Sequence, residues 1–136
     1  MKILVIDDDP AMTDLLGLLL TPASAEVITA NSGPDGIRLA KEVNPDIITL
    51  DLMMPDINGW KVAQMIREFS KVPILILSAL DSPGLVAAAL DAGAADYLIK
   101  PVPSNVLMAH INKLVRRNNL PAIGLEYSMA PKQIGT

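Results

Sequence analysis

Apolar and polar positions alternate in blocks along this chain. Short apolar runs are followed by longer segments in which apolar residues recur every three or four positions, and the alternation occurs five times before it ends near residue 119. The short runs predict buried strands and the longer segments predict amphipathic helices. The predicted strands cover residues 3–6, 26–30, 46–50, 72–77 and 97–99, and the predicted helical faces comprise Met12, Leu15, Leu16 and Leu19; Ile37, Ala40 and Val43; Val62, Ile66 and Phe69; residues 83–92; and Leu107, Ile111, Leu114 and Val115.

Residues at the predicted boundaries fit these elements. Asp9 is expected to cap the first helix, and Pro10 suits its first turn, where a missing amide hydrogen does no harm. Asn44 and Pro45 are expected to end the second helix, and Gly93 suits the left-handed position after the fourth.

Continuous apolar strands, each followed by a helix, predict an α/β fold with a parallel sheet covered on both faces. Five such units, a (βα)5 arrangement, most often form a doubly wound parallel five-stranded sheet in the flavodoxin-like order 2-1-3-4-5. The carboxyl ends of strands one and three then lie side by side, where the strand order reverses. We expect the functional site at that edge.

Composition narrows the possible functions. The 136 residues fit one domain, and 51% hydrophobic with 3% aromatic residues predicts an aliphatic core. A net charge of −4 argues against direct nucleic-acid binding, and the absence of cysteine excludes disulfides and thiolate chemistry. No apolar run approaches the roughly 20 residues that span a bilayer. We expect a cytoplasmic protein without a membrane segment.

Four predicted strands end in residues that suit chemistry. Asp7 and Asp8 follow the first strand, Asp51 the third, Ser78 closes the fourth and Lys100 follows the fifth. Carboxylates about 4 Å apart repel by about 4 kcal/mol per pair at an intermediate dielectric, so a cation is needed. A bound Mg²⁺ and the Lys100 ammonium would supply it. A carboxylate nucleophile, a metal, a hydroxyl and an ammonium together indicate an aspartyl-phosphate site.

Four motifs occur in order at these strand ends. They are Ile3-Leu4-Val5-Ile6-Asp7-Asp8-Asp9-Pro10, Asp51-Leu52-Met53-Met54-Pro55-Asp56, Ser78-Ala79, and Asp96-Tyr97-Leu98-Ile99-Lys100-Pro101. Together they resemble the receiver domain of two-component response regulators, the CheY-like superfamily, over about residues 2–118. The resemblance implies the same fold that the strand pattern predicts.

The resemblance also implies roles for individual residues. Asp51 would be the phosphoacceptor and a ligand of Mg²⁺. Asp8 would be the main acidic ligand, Asp7 would assist through a water molecule, and the backbone carbonyl of Met53 would complete the protein ligands.

Further roles concern the phosphorylated state. The resemblance implies that Ser78 hydrogen-bonds the phosphoryl group and that Lys100 pairs with it, next to a cis peptide bond at Pro101. Tyr97 would turn inward when Ser78 moves, and so report the switch.

The expected function is that of a phosphorylation-activated switch. A sensor histidine kinase would donate the phosphoryl group, and the altered surface would control an output domain or an effector protein, with transcription as the expected output. Its only expected chemistry is Mg²⁺-dependent self-phosphorylation and autodephosphorylation, so we do not class it as an enzyme.

The fourth helix departs from the family pattern. Residues 81–90 carry fewer charges than receivers that dimerise through ion pairs on the face of helix four, strand five and helix five, although Asp96 and Arg116 remain. A homodimer through this face, an apolar patch that docks another protein or another receiver, and a more buried helix all stay open. His110 is expected to be a helix-surface residue without a function.

The receiver domain is predicted to cover residues 1–118. Residues 119–136 include Pro121, Gly124, Pro131 and Gly135 without a sustained periodicity, which is typical of a linker or C-terminal tail. Either the chain is a stand-alone receiver or an effector domain once followed it, and of the two we expect a fragment of a longer regulator.

Three other functions share part of this pattern. A haloacid-dehalogenase-type phosphatase would need a hydroxyl side chain where this chain has Ala11, and a cap insertion for which there is no room. An FMN carrier would need a hydroxyl-rich phosphate loop after strand one, where this chain has three aspartates. The third is a pseudo-receiver that acts only as an interaction module.

Overall fold

The structure, a computed structural model, describes residues 1–21 and 25–119, so residues 120–136 of the predicted tail lie outside it. Strands and helices alternate along the described chain, as predicted. They are β1 (Lys2–Ile6), α1 (Pro10–Leu20), β2 (Glu26–Ala30), α2 (Gly33–Val43), β3 (Ile47–Leu50), α3 (Gly59–Arg67), β4 (Ile74–Ser78), α4 (Pro83–Asp91), β5 (Asp96–Ile99) and α5 (Ser104–Asn118).

The strands form one parallel sheet in the order β2-β1-β3-β4-β5, which confirms the predicted fold and strand order. β1 and β3 are neighbours, and Ile6 at the end of β1 pairs with Leu50 at the end of β3. The amide of Asp51 continues this pairing by donating to the carbonyl of Ile6 at 3.0 Å. The residues that follow β1 and β3 are therefore adjacent.

Two apolar layers cover the sheet, because successive strand residues point to opposite faces. Leu4 and Ile48 belong to the layer that α2, α3 and α4 complete, whereas Ile3 and Ile47 belong to the layer that α1 and α5 complete. The three inner strands, β1, β3 and β4, are buried on both faces apart from Lys2 at the start of β1, which explains their continuous apolar sequences. The core is aliphatic, as the composition predicts.

Local signals set the helix ends. Asp9, Ser32 and Asn58 each cap a helix by accepting a hydrogen bond from a first-turn amide. Asn44 ends α2 in the left-handed conformation at φ 49°, and Gly93 follows α4 at φ +114°. The predictions for Asp9, Asn44 and Gly93 are confirmed.

Two predicted helical faces are wrong in part. In α1, Thr13, Leu16 and Leu20 are the buried residues, whereas Leu15 and Leu19 are 48% and 39% exposed. This helix is apolar on several sides, so periodicity alone does not select the buried one.

Phe69 was predicted on the apolar face of α3. That helix ends at Arg67, and Phe69 is 39% exposed with the Lys41 ammonium 4.9 Å from its ring centroid. The ring therefore provides a cation–π contact at the surface instead of filling the core.

Within the described residues, no helix is both long enough and apolar enough to cross a membrane.

Candidate functional site

Three aspartates gather at the carboxyl edge of the sheet. Asp7 and Asp8 follow β1, and Asp51 follows β3. One carboxylate oxygen of each lies within 4.8 Å of the others. The sequence predicted this cluster, because the ends of neighbouring parallel strands lie at the same edge of a sheet.

Lys100 supplies the cation of the cluster. Its Nζ lies 2.9 Å from Oδ2 of Asp7 and 3.7 Å from Oδ2 of Asp51. Its backbone amide donates to the carbonyl of Ser78 at 2.9 Å, which continues the β4–β5 pairing and fixes where the side chain begins. Asp7 is 3% exposed, so this ion pair is screened much less than a surface pair.

The environment of Asp51 raises the pKa of its carboxyl group above the ordinary value. Burial raises the pKa of Asp51, the Lys100 ammonium lowers it, and the negative charge of Asp7 raises it again, with a net rise. The amide of Met53 donates weakly to Oδ1 of Asp51 at 3.4 Å. Without a metal ion, the Lys100 ammonium does not fully compensate the negative charge of Asp51. An added cation would therefore stabilise the ionised form of Asp51.

A second set of contacts holds Asp7. Its Oδ1 accepts from the amide of Asp9 at 3.0 Å, and its carbonyl accepts from Nδ2 of Asn31 at 2.8 Å. Asn31 also donates to the buried hydroxyl of Thr13 at 3.1 Å. These bonds connect α1 and the end of β2 to the acidic cluster. Sequence reasoning missed Asn31, because its partner is 24 positions away.

Gly59 lies directly against the backbone that carries Asp51. A Cβ at Gly59 would lie 2.5 Å from the Asp51 carbonyl oxygen and 2.6 Å from Cα of Leu52. Both atoms belong to the backbone and cannot rotate away. The first residue of α3 therefore has to be glycine for the loop after β3 to take its course.

Ser78 and Tyr97 meet at the loop between β4 and α4. Oγ of Ser78 accepts from the amide of Leu80 at 3.2 Å, and the hydroxyl of Tyr97 donates to the carbonyl of Leu80 at 2.6 Å. Ser78 is fully buried, and Tyr97 packs against the core layer on the α4 side. Leu80, which the sequence did not single out, connects the two predicted switch residues.

The remaining predicted residues lie around the cluster. The Lys100–Pro101 peptide bond is cis, and the side chain of Met53 is 59% exposed beside Asp51. Asp8 is partly buried.

His110 contacts Asp96, a residue that is distant from it in the sequence. Its Nδ1 lies 3.0 Å from Oδ2 of Asp96, and both side chains are about one-third exposed. The same carboxylate accepts from the amide of Tyr97 at 2.8 Å through Oδ1. Asp96 is therefore engaged within its own chain, although the sequence suggested it for contacts between chains. The pair is 14 positions apart, beyond any helical spacing.

The acidic cluster suits a hard divalent cation. All three side-chain donors are carboxylate oxygens within a few ångströms, and such oxygens are the ligands that Mg²⁺ and Ca²⁺ prefer. The excess of negative charge over the single ammonium supports the same conclusion. Asp7, Asp8 and Asp51 are the side chains that fit this group.

Comparison with known proteins gives the family. Residues 3–112 match the family described as the response regulator receiver domain. The chain belongs to this family.

Three curated relatives are transcriptional regulators. AfsQ1 of Streptomyces coelicolor is 43% identical over 116 residues, covering 85% of this chain and 52% of that protein. RpaA of Synechocystis is 39% identical, covering 87% and 50%, and CusR of Escherichia coli K12 is 37% identical, covering 96% and 58%. The chain spans about half the length of these relatives.

Solved structures agree in fold. A two-component response regulator from Clostridium difficile superposes with a TM-score of 0.85 at 28% identity, covering 88% of this chain and 99% of that one. The BeF3-activated N-terminal receiver domain of Klebsiella pneumoniae RstA gives 0.82 at 29% identity, covering 85% and 99%. The relatives are regulators rather than enzymes of the usual kind.

Proposed function

We propose that this domain is switched by phosphorylation of Asp51. The observation that carries the proposal is the position of Lys100, whose ammonium lies between Asp7 and Asp51 at the reversal point of the sheet. This arrangement leaves an acceptor carboxylate next to a fixed positive charge. A transferred phosphoryl group needs such a charge beside its oxygens.

We assign the metal to the same cluster. Asp8 and Asp51 would bind Mg²⁺ directly, Asp7 would assist through a water molecule, and the carbonyl of Met53 would complete the protein ligands. When bound, Mg²⁺ neutralises charge on the transferred phosphoryl oxygens. Asp7 is paired with Lys100 in the metal-free domain, so Asp7 and Asp8 have different tasks.

The acceptor step uses the chain's own carboxylate. An Asp51 oxygen attacks the phosphorus of a phosphohistidine on a sensor histidine kinase; the new P–O bond gives an acyl phosphate, and the P–N bond breaks with its electron pair going to the imidazole. Lys100 faces the incoming phosphoryl oxygens. Phosphoryl transfer leaves the protein little covalent chemistry to perform, so positioning and charge neutralisation would supply most of the catalysis.

Ser78 and Tyr97 would convert this event into a surface change. The Ser78 hydroxyl would leave the Leu80 amide to bond the phosphoryl group, and Tyr97 would hold the shifted loop through the Leu80 carbonyl. The two hydrogen bonds at Leu80 support this proposal, because the backbone of one residue contacts both side chains. Moving a switch from 1% to 99% active requires a differential of about 5.5 kcal/mol.

We infer the wider function from the relatives. The receiver domain would cover residues 1–118, residues 119–136 would form a linker or tail, and an output domain that controls transcription would follow. The cytoplasm is the expected location. A homodimer through the α4-β5-α5 face would rest on apolar contacts, because α4 exposes Leu85 and Leu90 and Asp96 is engaged with His110.

The test is intact mass after incubation with acetyl phosphate and Mg²⁺. We expect the wild type to gain one phosphoryl group and Asp51→Asn to gain none. Asp9→Asn is the matched control, since Asp9 is an acid in the same segment whose carboxylate caps α1. A wild type that stays unmodified with Mg²⁺ present would contradict the proposal and favour the pseudo-receiver.

A further inference from the structure

A basic pocket lies at the opposite edge of the sheet from the aspartates. It is a cavity of about 340 Å³ formed by the end of α3, the start of β4, the entry to β5 and the end of α5. Arg67, Lys71 and Arg117 line it, and its remaining wall is Pro73, Ala95, Leu114 and Asn118. No Asp or Glu is among these lining residues, in a chain whose net charge is −4.

The three cations lack ionic partners within the described part of the chain. The ion pairs found there involve Arg38, Lys100 and His110, none of which lines the pocket. Like charges that share a concave site repel one another, and walls of low dielectric concentrate the resulting positive potential. The pocket therefore favours an anion.

Arg67 is the fixed member of this group. Its Nε donates to the carbonyl of Gly93 at 2.9 Å and its Nη1 to the carbonyl of Ser70 at 3.2 Å. A guanidinium has five N–H donors, so these bonds leave three for another group. Burial alone lowers the pKa of Arg67, because no carboxylate opposes the desolvation.

The positions of helix ends explain only part of the positive charge in the pocket. Arg67 and Arg117 stand in the last turns of α3 and α5, where cations stabilise the negative ends of helix dipoles. Lys71 lies beyond α3, and nothing in that role requires it to face the same cavity. Arg116, equally placed in the last turn of α5, does not line the pocket.

We propose that this pocket binds a small molecule that carries two or more linked phosphate groups. The three remaining donors of Arg67, the Arg117 guanidinium and the Lys71 ammonium match several phosphate oxygens better than a single carboxylate, and the volume is sufficient for a diphosphate. The apolar wall of Pro73, Ala95 and Leu114 would accept an uncharged part of the ligand. This site is separate from Asp51 and does not depend on its phosphorylation.

The test uses inorganic pyrophosphate as the probe, titrated by calorimetry at constant ionic strength with EDTA present. We expect saturable binding with one site, retained in Asp51→Asn. The Lys71→Gln, Arg117→Gln double variant should weaken binding about a hundredfold, since each of the two lost charge-assisted hydrogen bonds is worth roughly a factor of ten. Arg116→Gln is the matched control and should change affinity less than about twofold.

Other outcomes decide against the proposal. Absence of saturable pyrophosphate binding would overturn it, and so would an equal loss in Arg116→Gln, which indicates attraction to any basic surface. Citrate in a parallel titration identifies the ligand class. Binding of citrate as tight as that of pyrophosphate would reject a phosphate site in favour of a general polyanion site.

Discussion

Lys100 Nζ is nearer to Asp7, at 2.9 Å, than to Asp51, at 3.7 Å. Asp7 is almost fully buried, and Lys100 is its only ionic partner among the described residues. Lys100 therefore does two things in the metal-free domain. It compensates a buried carboxylate, and it keeps a cation within reach of the proposed acceptor.

Replacing Lys100 should lower stability and make it depend more on metal. In Lys100→Met, the carboxylates of Asp7 and Asp51 lose their shared ammonium, so we expect the free energy of unfolding to fall by about 1–3 kcal/mol without metal. Mg²⁺ should raise the melting temperature more in the variant than in the wild type, because the cluster is more negative. Thermal unfolding with EDTA and with Mg²⁺ measures both effects. Lys61→Met, at an exposed lysine of α3, should show neither.

The raised pKa of Asp51 gives a stability that depends on pH. The folded pKa exceeds the usual value of 3.8, so the folded state binds more protons between the two values, and stability falls as pH rises through that window. At neutral pH and without metal, Asp51→Asn should therefore melt above the wild type, by a few degrees at most. The difference should shrink as pH falls through the folded pKa. A constant difference from pH 7 to pH 4 would contradict this.

Two glycines should respond oppositely to alanine. In Gly59→Ala the new methyl meets the backbone of Asp51 and Leu52, and we expect a destabilisation of about 2–4 kcal/mol with impaired phosphorylation. In Gly17→Ala, within α1, nothing lies within 4 Å of the new Cβ. That variant should gain roughly 0.5–1 kcal/mol from helix propensity. Urea denaturation of both variants tests the contrast.

Two buried threonines form a second matched pair. Thr49 in β3 finds no hydrogen-bond partner for its hydroxyl among the described residues, so Thr49→Val should be neutral or stabilise the fold by about 1 kcal/mol. The Thr13 hydroxyl donates to the carbonyl of Pro10 and accepts from Asn31. Thr13→Val should cost about 1–2 kcal/mol and loosen the support of Asp7. Equal effects of the two substitutions on the denaturation midpoint would refute this difference in hydrogen bonding between the two hydroxyl groups.

Tyr97→Phe should increase the mobility of the loop after β4 while the domain still folds. Loss of the 2.6 Å bond to the Leu80 carbonyl is expected to cost about 1 kcal/mol and to speed amide exchange after β4. The uptake of phosphate at Asp51 should persist, because Tyr97 touches none of the three acids. Hydrogen exchange by mass spectrometry, with and without acetyl phosphate, measures this. Unchanged exchange at residues 79–82 in both states would exclude Tyr97 as a switch residue.

The features of the fold and of the site that depend on short spacings and on strand ends could be predicted from the sequence. The order of the sheet and the meeting of Asp7 with Asp51 both follow from apolar strands that feed one edge. Partners far apart in sequence could not be predicted. The contacts of His110 with Asp96 and of Arg67 with Gly93 depend on how each helix is rotated against the sheet. The exposure of Leu15 has the same cause, since α1 offers more apolar residues than its contact can bury.

Strand position gives the two sides of the site different resistance to local opening. β3, which leads to Asp51, is paired on both sides and wholly buried, whereas β5, which leads to Lys100, is an edge strand paired only with β4 and partly exposed. The amides of β3 should therefore exchange only when the whole domain unfolds, and those of β5 through smaller openings. The proposed acceptor Asp51 therefore follows a strand that resists local opening, whereas Lys100 follows a strand that opens at lower free energy. A phosphoryl group on Asp51 would act through Lys100 on the more easily opened side of the sheet.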